Sequence, residues 1–182
     1  MKKGLLVTTL FAASALLLAS CEKTISFEEA KKHCDENFTS EESKLFDVHS
    51  VVNVTKSEGA FESMYEVGEK TDDESGQFGV ITSGYVDSIG DTATYKVDGK
   101  KLSVEYSISV KDFLANYGIE LGEGDEASGS IFAKASTDDE GYPASQYQKI
   151  DELHLKYSAG GFSVEGTLSM EMTITYTARP AN

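Results

Sequence analysis

Phe162-Ser163-Val164-Glu165-Gly166-Thr167-Leu168-Ser169-Met170-Glu171-Met172-Thr173-Ile174-Thr175-Tyr176-Thr177 is the stretch that decides the fold. Its even positions are apolar apart from Gly166, and its odd positions are Ser, Thr or Glu. Side chains of an extended chain alternate between two faces, so the pattern predicts a long strand, or a bent pair, with one buried and one wet face. Gly166 interrupts the apolar row and reads as a bulge or bend. Upstream, Leu153, Leu155 and Tyr157 alternate with Glu152, His154 and Lys156, and Ser158-Ala159-Gly160-Gly161 reads as a tight hairpin. With Ala159-Gly160 as the loop, Tyr157 falls opposite Phe162 and Leu155 opposite Val164. Both apolar rows then share a side.

A second hairpin has the same grammar. Ala93, Tyr95 and Val97 alternate, Asp98-Gly99 turns, and Leu102, Val104, Tyr106, Ile108 and Val110 alternate again. The expected register sets Tyr95 opposite Leu102 and Ala93 opposite Val104. Weaker strands are read at Val48–Thr55, Gln77–Tyr85 and Ser130–Ala135, while Gly59–Glu69 fits neither period. Two segments are helical instead. Ser26-Phe27-Glu28-Glu29 is a capping box, followed by Phe27, Ala30, Cys34 and Phe38 on one face. Val110, Phe113, Leu114 and Tyr117 stand at i, i+3, i+4 and i+7, with Gly118 as the stop. The fold class is therefore α+β: a mainly antiparallel, strongly curved sheet of six to eight strands, an N-terminal helix and a short internal helix.

The first residues have a different character. Lys2 and Lys3 precede an apolar stretch from Leu5 to Leu18, which ends in Leu18-Ala19-Ser20-Cys21. The stretch is shorter than the roughly 20 residues of a spanning helix. This arrangement resembles the lipobox of bacterial lipoproteins. The resemblance implies cleavage before Cys21, a diacylglycerol with palmitate-type chains on its sulfur, and anchoring to the outside of the cell membrane or to the outer membrane. Two or more acyl chains are what stable anchoring needs. The division that follows is residues 1–20 as signal peptide, 21–25 as a short lipidated tether, and 26–182 as a single acidic domain. The order of helices and strands also resembles, at fold level and without a shared motif, the LolA/LppX-like lipoprotein carriers. In those a curved sheet holds helices in its concave face.

Charge excludes some partners. The chain carries 31 acidic residues against 16 Lys and Arg, for a formal charge of −15. The segment 1–20 contributes only lysines, so the domain behind it is more acidic still. Such a surface repels nucleic acid and anionic headgroups and favours cationic partners. With Cys21 lipidated, Cys34 has no disulfide partner, and its place on the apolar helix face beside Asp35 and Glu36 marks it as core rather than reactive.

Catalytic and cofactor patterns are weak. Thr71-Asp72-Asp73-Glu74-Ser75-Gly76, Thr137-Asp138-Asp139-Glu140-Gly141 and Gly122-Glu123-Gly124-Asp125-Glu126 supply carboxylate oxygens without the calcium-loop spacing. They read as solvated turns that keep strand edges apart. His33, His49 and His154 are too far apart in sequence to form a local metal pair. Gly122–Ala127 fits a dinucleotide pattern by chance, with acids where a pyrophosphate would sit. Ser20-x-x-Lys23 straddles the cleavage point. The expectation is a non-enzymatic binding module at the cell envelope, with no cofactor, no metal and no nucleic acid. The membrane would be reached through the lipid on Cys21, and a protein, glycan or apolar small molecule would be the partner. The alternative is a carrier or sensor of an apolar ligand, drawing on Tyr95, Tyr106, Phe162, Met170, Met172 and Tyr176 as inward rows.

Overall fold

A computed structural model describes residues 22–159 and 161–180; residues 1–20, read as a signal peptide, and Cys21 lie outside the described residues. The chain runs β1 (Lys23–Ile25), α1 (Phe27–Asn37), β2 (Lys44–Gly59), β3 (Gly68–Phe78), α2 (Ser83–Ile89), β4 (Thr94–Asp98), β5 (Lys101–Ser109), α3 (Val110–Asn116), β6 (Glu126–Thr137), β7 (Pro143–Ala159) and β8 (Phe162–Ala178). The strands form one eight-stranded antiparallel sheet in the order β1-β4-β5-β6-β7-β8-β2-β3. β4 to β8 is a continuous meander, and the β2–β3 hairpin adds to the far side of β8. β1 and β3 are the edges.

Opposed residues in an antiparallel pair share a face, so the alternation of β8 propagates sideways through the register. Met170 lies between Ile150 of β7 and Val54 of β2, and Ile150 in turn faces Ile131 of β6 and then Ile108 of β5. One row further, Met172 lies between Gln148 and Val52, continued by Ala133 and Tyr106. The opposite face carries the polar set, including the Glu105 carboxylate held by Lys134 at 2.9 Å and Lys96 at 3.4 Å.

Both neighbours of β8 are bulged at the same level. β2 carries one extra residue at Thr55, and β7 carries one between Ile150 and Leu153, where Glu152 has φ 49. Each bulge shifts the strand's parity, so Gln146, Gln148 and Ile150 on one side of it and Leu153, Leu155 and Tyr157 on the other still reach one face. Ser169 of β8 is bonded to both bulges. Its hydroxyl accepts the Glu152 N–H at 3.1 Å, and its carbonyl accepts the Thr55 hydroxyl at 3.2 Å.

Two groups of residues cover the apolar face. At one corner α1 and α2 bury Ala30, Cys34, Phe38 and Val86 against Tyr95, Leu102 and Val104. At the other, the turn after β2 lays Phe61 over Val54 and Leu168. The α1 start has both arms of its capping box: Ser26 Oγ accepts the Glu29 N–H, and Glu29 Oε2 accepts the Ser26 N–H at 2.8 Å. The Ser26 N–H, and the Ser26 hydroxyl donating to the same oxygen at 3.0 Å, hold the Glu29 carboxyl below its ordinary pKa. Ser109 caps α3 by accepting the Asp112 N–H at 3.0 Å.

Several expectations are corrected. The segment Gln77–Tyr85 is not a strand: β3 stops at Phe78 and α2 begins at Ser83. Val86 and Ile89 pack at helical spacing, and the buried Tyr95 hydroxyl donates to the Gly90 carbonyl at 2.8 Å at the end of that helix. Within the stretch read as residues 21–25, Lys23–Ile25 pairs with β4 as an edge strand. Both hairpins turn one residue later than expected. Tyr95 faces Val104, and Tyr157 faces Val164. In the first, Gly99 (φ 62) occupies the first loop position, as a type II′ turn requires. A shift of two partners keeps every side chain on its face, so the apolar pattern survives the change of register. Gly166 is not the bulge. It packs against Gly59 of β2, where a Cβ would meet the Glu58 carbonyl oxygen at 2.5 Å and Phe61 Cδ2 at 2.8 Å.

Gly166→Ala is expected to lose about 1–3 kcal/mol of stability from overpacking. Gly79→Ala, in open space and without a positive φ, is expected to stay within about 1 kcal/mol. Urea unfolding of the full chain measures both, and equal losses would contradict the packing account.

Candidate functional site

The apolar face is left uncovered between the two groups, and a cleft opens beside α2. β5 supplies Leu102 and Val104 to its floor, β6 supplies Ala135, and β7 supplies Gln146. Tyr176 of β8 and Phe78 at the end of β3 form one wall, with rings edge to face at 5.1 Å. Ile81 and Tyr85 form the other. The Ile81 N–H donates to the Gly141 carbonyl at 2.8 Å, which ties this wall to the β6–β7 turn. The volume is about 190 Å³.

None of the described residues that line this space is charged. Ser136 and Ser145 spend their hydroxyls on each other at 2.7 Å, and Thr137 Oγ1 accepts the Leu102 N–H at 2.9 Å. The polar side chains left to face a visitor are the Gln146 amide and the phenols of Tyr85 and Tyr176. Burial raises the pKa of both phenols, and Tyr106 and Tyr176 raise that of Tyr85 further. Both phenols are therefore neutral over the physiological range and can donate a hydrogen bond as well as accept one.

The residues singled out in the sequence distribute as follows. Tyr106, Met170, Met172 and Tyr176 lie half-buried on the apolar face, and Tyr95 is fully buried. The Phe162 side chain lies outside what is described. Cys34 is 1 % exposed within the α1 core, and burial pushes its thiol up to about 11. The histidines sit on three different elements. His33 meets the Lys100 carbonyl at 2.8 Å, His49 pairs with Asp73 at 2.7 Å, and His154 lies 4.0 Å from Glu126. Among the described residues, no group of three or more His, Cys, Asp or Glu side chains is placed to hold a metal ion.

The acidic runs are not all turns. Asp138 Oδ1 locks the β6–β7 turn by accepting the N–H groups of Glu140 and Tyr142 at 2.9 and 3.0 Å. Asp125 binds the Gly122 and Ser158 N–H groups at 2.8 and 2.9 Å. Thr71–Gly76, in contrast, lies inside the edge strand β3. Sequence reasoning missed Phe78, Ile81, Tyr85 and Gln146 as neighbours. Three of them fell in the segment misread as a strand, where the spacing of Val86 and Ile89 was the available signal.

No helix among the described residues is long and apolar enough to cross a membrane. Comparison with known families, with characterised proteins and with solved structures finds no match to this chain.

Because Cys34 is enclosed and its thiol is raised, iodoacetamide is expected to leave it unmodified in the folded chain at pH 8 and to alkylate it readily in urea. The proton balance gives a second expectation. Below the ordinary thiol value of 9.0 both states hold the proton, while from there to about 11 only the folded state keeps it. Stability should therefore fall with rising pH across this window, by on the order of 2 kcal/mol relative to Cys34→Ala. Parallel curves for the two proteins in alkaline urea titrations would contradict this.

Proposed function

We propose that this protein is a lipid-anchored, extracytoplasmic bacterial lipoprotein whose folded domain is a non-catalytic binding module. The address rests on Lys2, Lys3, the apolar stretch and Leu18-Ala19-Ser20-Cys21. The single observation that carries the binding reading is the charge-free cleft on the apolar face of a strongly acidic protein. Structural elements elsewhere are consistent with a tethered domain. The chain enters the sheet at Lys23, level with the β4–β5 turn, the start of β2 and the end of β8. The opposite end carries exposed Met64, Val67 and Tyr117. In this reading that end points away from the bilayer, at the cell membrane or the outer membrane, and is open to protein or glycan partners. The negative charge keeps the domain from lying on anionic lipid and disfavours nucleic acid.

The second reading is a carrier or sensor of an apolar ligand in a strongly curved sheet, on the pattern of the LolA/LppX-like carriers. Tyr106, Met170, Met172 and Tyr176, half-buried on the apolar face, favour it. The cleft is smaller than the roughly 300–1,000 Å³ of drug-sized ligand pockets, so a carrier built on it would take a small cargo.

Metabolic labelling with an alkyne-bearing palmitate tests the anchor. The wild-type chain is expected to take up label and sediment with membranes, and Cys21→Ala to lose both. An unlabelled wild type, or a Cys21→Ala chain that labels equally, would overturn the lipoprotein reading.

A further inference from the structure

We infer that the cleft beside α2 is a binding site for a compact, uncharged aromatic ring bearing one hydrogen-bonding substituent, such as a phenol or an indole. This inference rests on the binding-module reading and gives it a ligand class.

Size sets the first limit. An apolar cavity of about 150 Å³ accepts benzene. The cleft, at about 190 Å³, therefore has room for one ring and a small substituent, and not for an extended acyl chain. Charge sets the second. The chain has 31 acidic and 16 basic residues, yet none of the described ones reaches the lining, so a carboxylate or ammonium would enter without a counter-ion. Shape sets the third. Phe78, Tyr176 and Tyr85 supply aromatic walls, and a ring among them can adopt the edge-to-face and offset contacts that aromatic groups favour at 4.5–7 Å. Leu102 and Val104, both deeply buried, give it a rigid floor. Chemistry sets the fourth. The serine pair and Thr137 are already engaged, which leaves Gln146, Tyr85 and Tyr176 to meet the substituent. Tyr85 is partly exposed on α2, at the mouth of the cleft, where a ligand would pass it.

The test is a titration of the full chain, carrying ring-labelled tyrosine, followed by NMR. Phenol is expected to move the Tyr85 and Tyr176 signals saturably and to leave Tyr65 and Tyr117, at the far end of the sheet, in place. Benzoate should bind at least about 10-fold more weakly, because its charge has no partner. Toluene should bind about 2- to 12-fold more weakly than phenol, the usual worth of one hydrogen bond, and Gln146→Leu should remove most of that gap. Ala135→Met, which fills the floor, should abolish the shifts. If that variant does not fold, the benzoate and Gln146→Leu arms decide alone.

The site is overturned if Tyr85 and Tyr176 do not respond, if benzoate matches phenol, or if Tyr65 and Tyr117 move in parallel with them. A response to laurate without one to phenol also overturns it, and supports the carrier instead. Failure here leaves palmitate labelling of Cys21 untouched, so the ring site and the anchored reading fail separately.

Discussion

The rest of the structure depends on face parity across β8. Its even positions are apolar, and every strand that pairs with it, directly or through a neighbour, must present its own apolar residues at matching positions. An uninterrupted ladder would fail halfway along β7, where the apolar residues change from even to odd numbers. The extra residue before Leu153 corrects this, and the one at Thr55 does the same in β2. Ser169 holds both corrections from the strand between them. Through these two irregularities the Phe61 turn finds Leu168 and Val54 on the same side as the α1–α2 core, and the apolar residues of β8 keep one face along the whole strand.

The cleft is a by-product of that arrangement. Two small covers, the α1–α2 pair and the Phe61 turn, occupy opposite corners of the face as separate clusters. What remains is a strip whose side chains are chosen by strand alternation, with aromatic residues from the edges leaning in. Its lack of charge follows from the same cause: the carboxylates and lysines of β5, β6 and β8 point to the other face, where Lys96 and Lys134 neutralise Glu105.

Local rules account for what could be read in advance. The capping box at Ser26 and Glu29 involves residues three apart, and the alternation of β8 involves neighbours two apart, so both are visible in the chain. The turn positions were not, because alternation fixes which face a residue occupies but leaves registers two apart equally acceptable. Only the backbone preference of Gly99 for the first loop position separates them. α2 was hidden for a related reason: Val80 and Ile81 are adjacent apolar residues on an irregular segment, which obscures the helical spacing of Val86 and Ile89. The cleft had no local signature at all, since Phe78, Tyr85, Val104, Gln146 and Tyr176 meet only once five separate elements have assembled.

The two edges of the sheet are unequal, and the longer one has a bearing on how copies of this protein coexist. β3 exposes most of its eleven residues and bears Glu69, Asp72, Asp73 and Glu74 with a single Lys70. Charges at 72 and 74 lie on one face and those at 69 and 73 on the other, so neither face offers a neutral approach. Two molecules meeting edge to edge would bring four carboxylates from each into hydrogen-bonding range of one another. Crowding therefore raises repulsion along this edge, which works against the growth of a continuous ribbon through β3.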